Sequence, residues 1–296
     1  MNNTIKMLAR YSAMAEAGLR KYMPENSYPA VIFESMKYSL YAGGKRLRPV
    51  LAMLAAEACG KKPAFVMPLA CGLEMIHTYS LIHDDLPAMD DDTLRRGKPT
   101  NHVKYGEAYA ILAGDGLLTR AFEVILLNSK IKGAGPGDVI EAALVTAKSA
   151  GAEGMVGGQA ADILNEGKKH TAKTLSYIHS HKTGALITAS VEASAVMCGI
   201  KGGQRKIFRE FGEKIGLVFQ IVDDILDITA DEKKLGKTKG KDAAVKKATY
   251  PAMYGLEASM KKAEDLSVEA KNLLCKIDGK TAGLSALADY FTSRIY

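Results

Sequence analysis

The sequence has no tryptophan, only four cysteines and only nine prolines among its 296 residues. The cysteines are widely separated and form no Cys-x-x-Cys pair, which argues against a disulfide framework or a zinc site and favours a reducing compartment. They are Cys59, Cys71, Cys198 and Cys275. No apolar run reaches the ~18 residues of a membrane span, since the longest candidate, Ala185 to Ile200, contains Glu192. The first residues lack the apolar stretch of a signal peptide. We therefore expect a cytoplasmic protein with no membrane span.

Helix-forming residues are abundant. Ala, Leu, Lys, Glu and Met are frequent, and apolar residues recur at spacings of three and four, as from Leu47 to Leu54 and from Ile207 to Val222. Sustained strand-like alternation is absent. Breaks rich in Gly and Pro divide the chain into roughly ten helices without any domain linker. The pattern predicts an all-α fold, a single-domain helical bundle over residues 1–296.

The chain is basic, with a formal net charge of +7 and a pI of about 9.0. This balance suggests an anionic partner, although a basic surface can also serve solubility alone. There is no long basic run and no alternation of Arg with aromatic residues, so a nucleic acid is disfavoured. Several Arg and Lys residues lie inside short motifs, which favours a small anionic substrate.

The clearest motif is an acidic cluster near residue 223. Gln220, Asp223, Asp224 and Asp227 follow the spacing i, i+3, i+4, i+7 and therefore form one stripe on a helix. The rest of this helix is apolar nearly all round, which is typical of a buried helix. A carboxylate in such surroundings requires a positive partner. We expect this stripe to face an interior cavity; a stripe on a solvent-facing helix is the alternative.

A second acidic cluster, from Asp84 to Asp92, follows the apolar segment that ends at Ile82. Asp84 and Asp90 are six residues apart, which would place them on different sides of an unbroken helix. Pro87 disfavours helix at this point, so we expect the chain to loosen and return Asp90 towards Asp84. A calcium-binding EF-hand loop is disfavoured because the alternate acidic positions and the central glycine are missing. Carboxylates with nearby Arg and Lys indicate divalent metal bridging to a phosphorylated substrate.

Basic motifs accompany both clusters. The segment 43–49, Gly-Gly-Lys-Arg-Leu-Arg-Pro, leads into an apolar helix and could bind phosphate through its glycine backbone and cationic side chains. An ordinary basic loop is the alternative. Weaker candidates are Lys182-Thr183 and the loop around Lys237, which could be a lid over phosphate or a solvated linker.

With these motifs in place, the chain resembles the trans-prenyl diphosphate synthase family, in particular its bacterial farnesyl diphosphate synthases. The resemblance rests on five motifs in order, at 43–49, 84–102, 182–184, 219–227 and 236–242. It implies an all-α bundle around a deep central cavity and a homodimer. Two departures are Thr93, where relatives often carry another acid, and the less basic tail Arg294-Ile295-Tyr296.

The resemblance implies a role for each matching residue. Isopentenyl diphosphate would be held by Gly44, Lys45, Arg48, His77 and Arg96. The allylic diphosphate would be held by Arg95, Lys182, Thr183, Gln220 and Lys237. Metal ligands would be Asp84, Asp90, Asp223 and Asp227, which would carry three Mg²⁺ ions, with Mn²⁺ as a substitute. Asp84, Asp90, Arg95, Lys182, Asp223 and Lys237 would take part directly in catalysis. Tyr79 and Ser80 would limit the product chain length.

The implied reaction ionises an allylic diphosphate, and the double bond of isopentenyl diphosphate attacks the resulting cation. Dimethylallyl and then geranyl diphosphate would be extended to (2E,6E)-farnesyl diphosphate. Geranyl or geranylgeranyl diphosphate synthesis is the alternative within the family. A metal-dependent phosphohydrolase, suggested by the His83-Asp84 pair, lacks the further histidine ligands it would need. A terpene cyclase has no use for a second diphosphate site, and a non-catalytic partner subunit would not need two intact acidic motifs.

Overall fold

The computed structural model describes residues 2–168, 170–229 and 249–295. Over these residues the fold is α-helical, which confirms the predicted all-α class. The described helices are α1 Asn2–Tyr22, α2 Ala30–Leu40, α3 Leu47–Ala58, α4 Met67–Asp84, α5 Asn101–Tyr105, α6 Glu107–Leu126, α7 Pro136–Ala150, α8 Met155–Asn165, α9 Ala172–Ile178, α10 Ala185–Met197, α11 Gly202–Thr229, α12 Tyr250–Tyr254, α13 Leu256–Leu274 and α14 Ala282–Thr292. Two 3₁₀ turns, Pro63–Val66 and Leu127–Lys130, and one π-helical turn, His179–Gly184, complete them.

The core is built around α4 and α10. Every residue of α10 from Ser190 to Met197 is buried, and α4 is buried from Pro68 to Ile76. Helices α3, α7 and α11 pack against α10, while α6 packs along α4. The buried hydroxyl of Ser194 on α10 donates to the carbonyl oxygen of Ala52 on α3 at 2.6 Å. Helix α3, whose start carries one predicted motif, and helix α4, whose end carries another, therefore belong to the same helical bundle.

One segment, 63–84, is long and apolar enough to cross a membrane, with a mean hydropathy of 1.3. Among the described residues, Ala185 to Ile200, the candidate considered from the sequence, does not meet the same criteria of length and composition. Because 72% of the segment 63–84 is buried inside the bundle, its apolar character is accounted for by core packing.

One short strand pair lies among the helices of the described residues. Leu94–Arg95 and Lys98–Pro99 form a minimal antiparallel hairpin, with Arg95 opposite Lys98. Arg96 and Gly97 occupy its turn with φ of 54° and 74°. A two-residue hairpin turn with both φ values positive matches the twist of antiparallel strands, and a non-glycine residue rarely adopts it. The hairpin therefore fixes the direction of the two neighbouring arginines.

Candidate active site

The first acidic cluster forms a compact loop at the end of α4. The helix ends at Asp84, and the amide of Asp90 donates to the carbonyl oxygen of Asp84 at 2.9 Å. A second backbone bond of 3.2 Å joins the amide of Asp92 to Asp85. The predicted break at Pro87 and the return of Asp90 to Asp84 are therefore confirmed.

Asp84 lies in surroundings that oppose its negative charge. Burial raises the pKa of its carboxyl to about 6, and neighbouring Asp90 acts in the same direction, while Lys182 and Arg95 oppose the shift. A carboxylate destabilised in this way gains when a cation binds beside it. The site therefore favours a cation next to Asp84.

Asp85 has a different role from Asp84. It is 3% exposed and accepts hydrogen bonds from Nε of Arg95 at 2.7 Å and 2.8 Å. Arg95 also lies 3.6 Å from Asp92. Asp85 thus holds the guanidinium of Arg95, the predicted ligand of an allylic diphosphate, in a fixed position beside Asp84.

Arg96 packs against the glycines of the first basic motif. Its guanidinium donates to the carbonyl oxygen of Gly43. A Cβ atom on Gly44, whose φ is 128°, would stand 2.7 Å from the guanidinium carbon of Arg96. The sequence predicted that Gly44 lets another group come close to its backbone, and in the structure that group is the guanidinium of Arg96. Arg96 thereby connects the segment 43–49 with the hairpin.

The basic motif includes side chains whose positive charge is disfavoured by burial and by neighbouring cations. Burial lowers the pKa of Arg48 to about 10, although Glu74 and Asp223 oppose this shift, and Nε of Arg48 is buried without a hydrogen-bond partner in the described part of the chain. Burial, with Arg48 and Arg96 nearby, lowers the pKa of His77 well below its usual value. Burial and then Arg294 lower the pKa of Lys45. Such a cluster is suited to an anionic group.

The second acidic cluster divides into two parts. Asp223 accepts a hydrogen bond of 3.0 Å from Arg294. Asp224 is 4% exposed and accepts from the side chain of Gln220 and the backbone amide of Tyr250, both at 2.8 Å. Asp227 is half-buried in the next turn of α11. Asp223 therefore faces the basic motif through Lys45, whereas Asp224 anchors α12 to α11.

Lys182 and Thr183 lie on the π-helical turn His179–Gly184. The turn is held between two helices by glycines: a Cβ on Gly158 of α8 would stand 2.1 Å from the backbone nitrogen of Lys182, and one on Gly216 of α11 would stand 2.9 Å from Cα of Gly184. Nζ of Lys182 donates to Asp162 of α8 at 2.7 Å. Single π turns inside helices are frequent at functional sites, which agrees with the predicted role of this motif.

Replacing Gly158 with Ala should displace the π turn, because the new Cβ meets backbone atoms and not a flexible side chain. We expect a loss of about 1–3 kcal/mol in the free energy of unfolding, as is typical of overpacking, together with lower activity. Urea denaturation and steady-state assays measure the two effects. The control is Gly137→Ala on α7, where a Cβ meets nothing within 4 Å; equal behaviour of both variants would contradict the packing argument.

Among residues 2–168, 170–229 and 249–295, no three His, Cys, Asp or Glu side chains are arranged to hold a metal ion by themselves. Mg²⁺ is commonly bound by one or two carboxylates together with substrate phosphates, so the neighbouring carboxylates of Asp84 and Asp90 fit such an ion when a diphosphate supplies the other oxygens. Asp223 is the corresponding carboxylate of the second acidic cluster. The raised pKa of Asp84 supports this fit. Lys237, also predicted for the site, lies outside the described residues.

The predicted chain-length residues lie one turn before Asp84. Tyr79 is 6% exposed, and burial followed by the charge of Asp84 raises the pKa of its phenol. Ser80 donates from Oγ to the carbonyl oxygen of His77 at 2.9 Å. Tyr79 is thus a buried aromatic ring close to the acidic cluster.

Three residues to which the sequence reasoning gave no role complete the site. They are Asp85, Asp162 and Arg294, each of which pairs with a charged side chain predicted for the site. Arg294 joins Asp223 across 71 residues, and Nη1 of Arg294 is buried without a partner among the described residues. The only sequence signal for these pairs was opposite charge, which is too common to select a partner.

Comparison with known proteins decides the family. Residues 29–273 match the model of the polyprenyl synthetases. The chain belongs to the polyprenyl synthetase family. It is 47% identical to a geranylgeranyl diphosphate synthase of Cyanophora paradoxa, over 99% of this chain and 97% of the relative. It is 48% identical to a farnesyl diphosphate synthase of Geobacillus stearothermophilus, over 94% of both chains.

Solved structures agree with this assignment. An FPP/GFPP synthase from Zymomonas mobilis superposes with a TM-score of 0.86 at 32% identity, over 98% of this chain and 99% of that one. A geranyltransferase from Legionella pneumophila gives 0.86 at 33% identity, over 99% and 98%. The polyprenyl synthetase described here is therefore a prenyltransferase, a trans-prenyl diphosphate synthase that uses isoprenoid diphosphates.

Proposed function

We propose that this polyprenyl synthetase makes (2E,6E)-farnesyl diphosphate from isopentenyl diphosphate and, in turn, dimethylallyl and geranyl diphosphates. The observation that carries the C15 product is the buried ring of Tyr79 in the last turns of α4 before Asp84. A bulky ring at this depth would end the space open to a growing chain. A smaller residue there would leave room for another isoprene unit.

The charged groups divide between two diphosphates. The buried cations Lys45, Arg48 and Arg96, whose charge is disfavoured until an anion binds, support a role for this cluster with His77 in holding isopentenyl diphosphate. Arg95 and Lys182 lie within electrostatic reach of Asp84, as expected for groups that bind the allylic diphosphate. We also assign Thr183, Gln220 and Lys237 to that second group.

In the proposed reaction, Arg95 and Lys182 stabilise the negative charge that develops as the allylic C–O bond breaks. Mg²⁺, when bound by Asp84, Asp90, Asp223 and Asp227, would supply further charge to assist the leaving diphosphate. The basic cluster orients isopentenyl diphosphate so that its double bond attacks the allylic cation. The proton then lost passes to the departed diphosphate, and the apolar walls exclude water that would quench the cation.

A geranylgeranyl product is the second candidate, because several relatives 47–50% identical to this chain are named geranylgeranyl synthases.

A homodimer is a further part of the proposal. It is supported by the exposed apolar side chains of Tyr109, Ile111 and Leu112 on α6, which a second copy of the chain could cover. Cytoplasmic localisation stays a prediction from the sequence.

Product analysis tests the proposal. The protein, supplied with dimethylallyl diphosphate, isopentenyl diphosphate and Mg²⁺, should release mainly C15 diphosphate, resolved by chromatography after dephosphorylation. Chelation with EDTA should abolish turnover, and added Mg²⁺ or Mn²⁺ should restore it. A dominant C20 product would contradict the farnesyl assignment, and phosphate release without chain elongation would favour a phosphohydrolase.

A further inference from the structure

The ring of Tyr79 is braced by a histidine that the reaction scheme leaves without a role. His83 lies one turn further along α4, and the two rings meet edge to face, with centroids 5.6 Å apart and planes at 84°. Nε2 of His83 lies 3.0 Å from the carbonyl oxygen of Ile111 on α6, so the imidazole donates a hydrogen bond to the neighbouring helix. His83 therefore connects the Tyr79 ring to the backbone of α6.

This connection depends on a missing side chain. A Cβ on Gly114 of α6 would stand 2.1 Å from Nε2 of His83, 2.5 Å from Cδ2 and 2.8 Å from Cε1. Any larger residue at this position would force the imidazole out of its place and break the bond to Ile111. Gly114 adopts ordinary helical geometry within α6, so the close approach of His83, and not backbone conformation, is what requires a glycine.

The imidazole of His83 makes one strong hydrogen bond among the described residues, the bond to Ile111. Asp115, the nearest acid, is 3.9 Å from Nε2 and its side chain is 61% exposed. Such a distance to an exposed carboxylate adds little fixed geometry. The position of the ring is therefore determined by Ile111 on one side and by the face of Tyr79 on the other.

We propose that His83 and Gly114 form a positioning pair that fixes the orientation of Tyr79 and so helps to determine product chain length. The pair acts through Tyr79, without contact with the reacting atoms. The inference rests on the proposed role of Tyr79 as the end of the product pocket. When the pair is disturbed, the phenol ring gains freedom to turn aside, and the pocket deepens.

The test is the product ratio of purified full-length variants at saturating substrate. His83→Ala and Gly114→Ala should each raise the C20:C15 ratio by about tenfold, the scale of discrimination that one small apolar change in a pocket provides. Gly116→Ala, on the same helix and facing the flexible Met36 side chain, should leave the ratio unchanged. The ratio separates positioning from general damage, because a merely destabilised enzyme makes less product of the same length.

A double variant tests whether Gly114 and His83 act through the same contact. If Gly114→Ala acts by displacing the imidazole, the double variant His83→Ala/Gly114→Ala should have the same C20:C15 ratio as His83→Ala alone. The effects of two substitutions are not additive when both act through one contact. His83→Ala inserts no bulk, so it remains informative if Gly114→Ala does not fold. An unchanged ratio in His83→Ala, or fully additive effects in the double variant, would overturn the proposal.

A parallel Tyr79→Ala variant distinguishes this inference from the function on which it rests. If Tyr79→Ala lengthens the product while His83→Ala does not, the positioning pair is wrong and the farnesyl assignment stands. If Tyr79→Ala leaves a C15 product unchanged, Tyr79 does not end the pocket and the positioning pair is contradicted with it, while the product of the wild-type chain still decides the farnesyl assignment.

Discussion

Replacing Asp84 with Asn is expected to lower kcat/KM for chain elongation by about 10³-fold, the loss typical when a preorganised charge is removed from an active site. The unfolding free energy at neutral pH should not fall. Burial raises the pKa of Asp84 to about 6 from its ordinary value of 3.8, so the folded chain holds this proton more tightly than the unfolded chain. The stability that the protonated form provides is lost as the pH rises through about 6. Asn has nearly the same shape as protonated Asp and cannot ionise, so the Asp84→Asn variant does not lose this stability at neutral pH.

Steady-state kinetics and urea denaturation, measured on the same preparations, check both halves of this prediction. Asp265→Asn is the matched control, because Asp265 is 52% exposed and, among the described residues, pairs only with Lys261 in the preceding helical turn. Its activity should stay at the wild-type level. Undiminished turnover in Asp84→Asn would show that the first acidic cluster does not act in the reaction.

Replacing Arg46 with Ala should reduce the free energy of unfolding by about 3–5 kcal/mol, the range for breaking a buried ion pair. Its guanidinium is 1% exposed and contacts Glu74, itself 2% exposed, at 2.8 Å. It also reaches Glu16 and the carbonyl oxygen of Leu40, both at 2.6 Å. Without Arg46, the carboxylate of Glu74 would remain buried without its closest counter-ion. The midpoint of urea denaturation measures the loss.

A compensating double variant tests the cause. Arg46→Met with Glu74→Leu removes both charges and should recover most of the stability, because buried pairs can often be replaced by apolar groups of similar volume. Arg209→Ala, an exposed surface arginine in an i,i+4 pair, should change the unfolding free energy by less than about 0.5 kcal/mol. A loss in Arg46→Ala as small as that in Arg209→Ala would contradict the buried-pair interpretation.

The features predicted correctly from the sequence are local ones. Helical periodicity gave the all-α class, and the conformational limits of Pro87 explained the return of Asp90 to Asp84. The resemblance also assigned Asp223, Lys45 and Arg48 to one site; the structure places Asp223 within electrostatic reach of both cations, and their roles in binding stay predictions. These predictions depend on spacing or on the order of motifs, which a linear sequence displays directly.

The features that were missed depend on contacts between distant segments. Arg46 was read as part of a phosphate-binding motif, yet its partner Glu74 lies 28 residues away in the core. Arg294 and Asp223 are 71 residues apart. The π turn at His179–Gly184 depends on glycines of α8 and α11 that leave room for it. The Arg96-Gly97 turn is local, yet only its glycine is a hairpin signal, because the favoured first residue of such a turn is Asn, Asp or Gly.

The π turn also constrains how the chain can change in length during evolution. Helix α9, the π turn and α10 run continuously from Ala172 to Met197. Each residue of an α-helix advances the chain by about 100°, so a one-residue deletion in the turn would rotate every side chain of α10 relative to the Lys182 motif. A buried helix does not tolerate such a rotation. Insertions and deletions among homologues should therefore be absent from this stretch and accumulate in turns such as Gly133–Gly135.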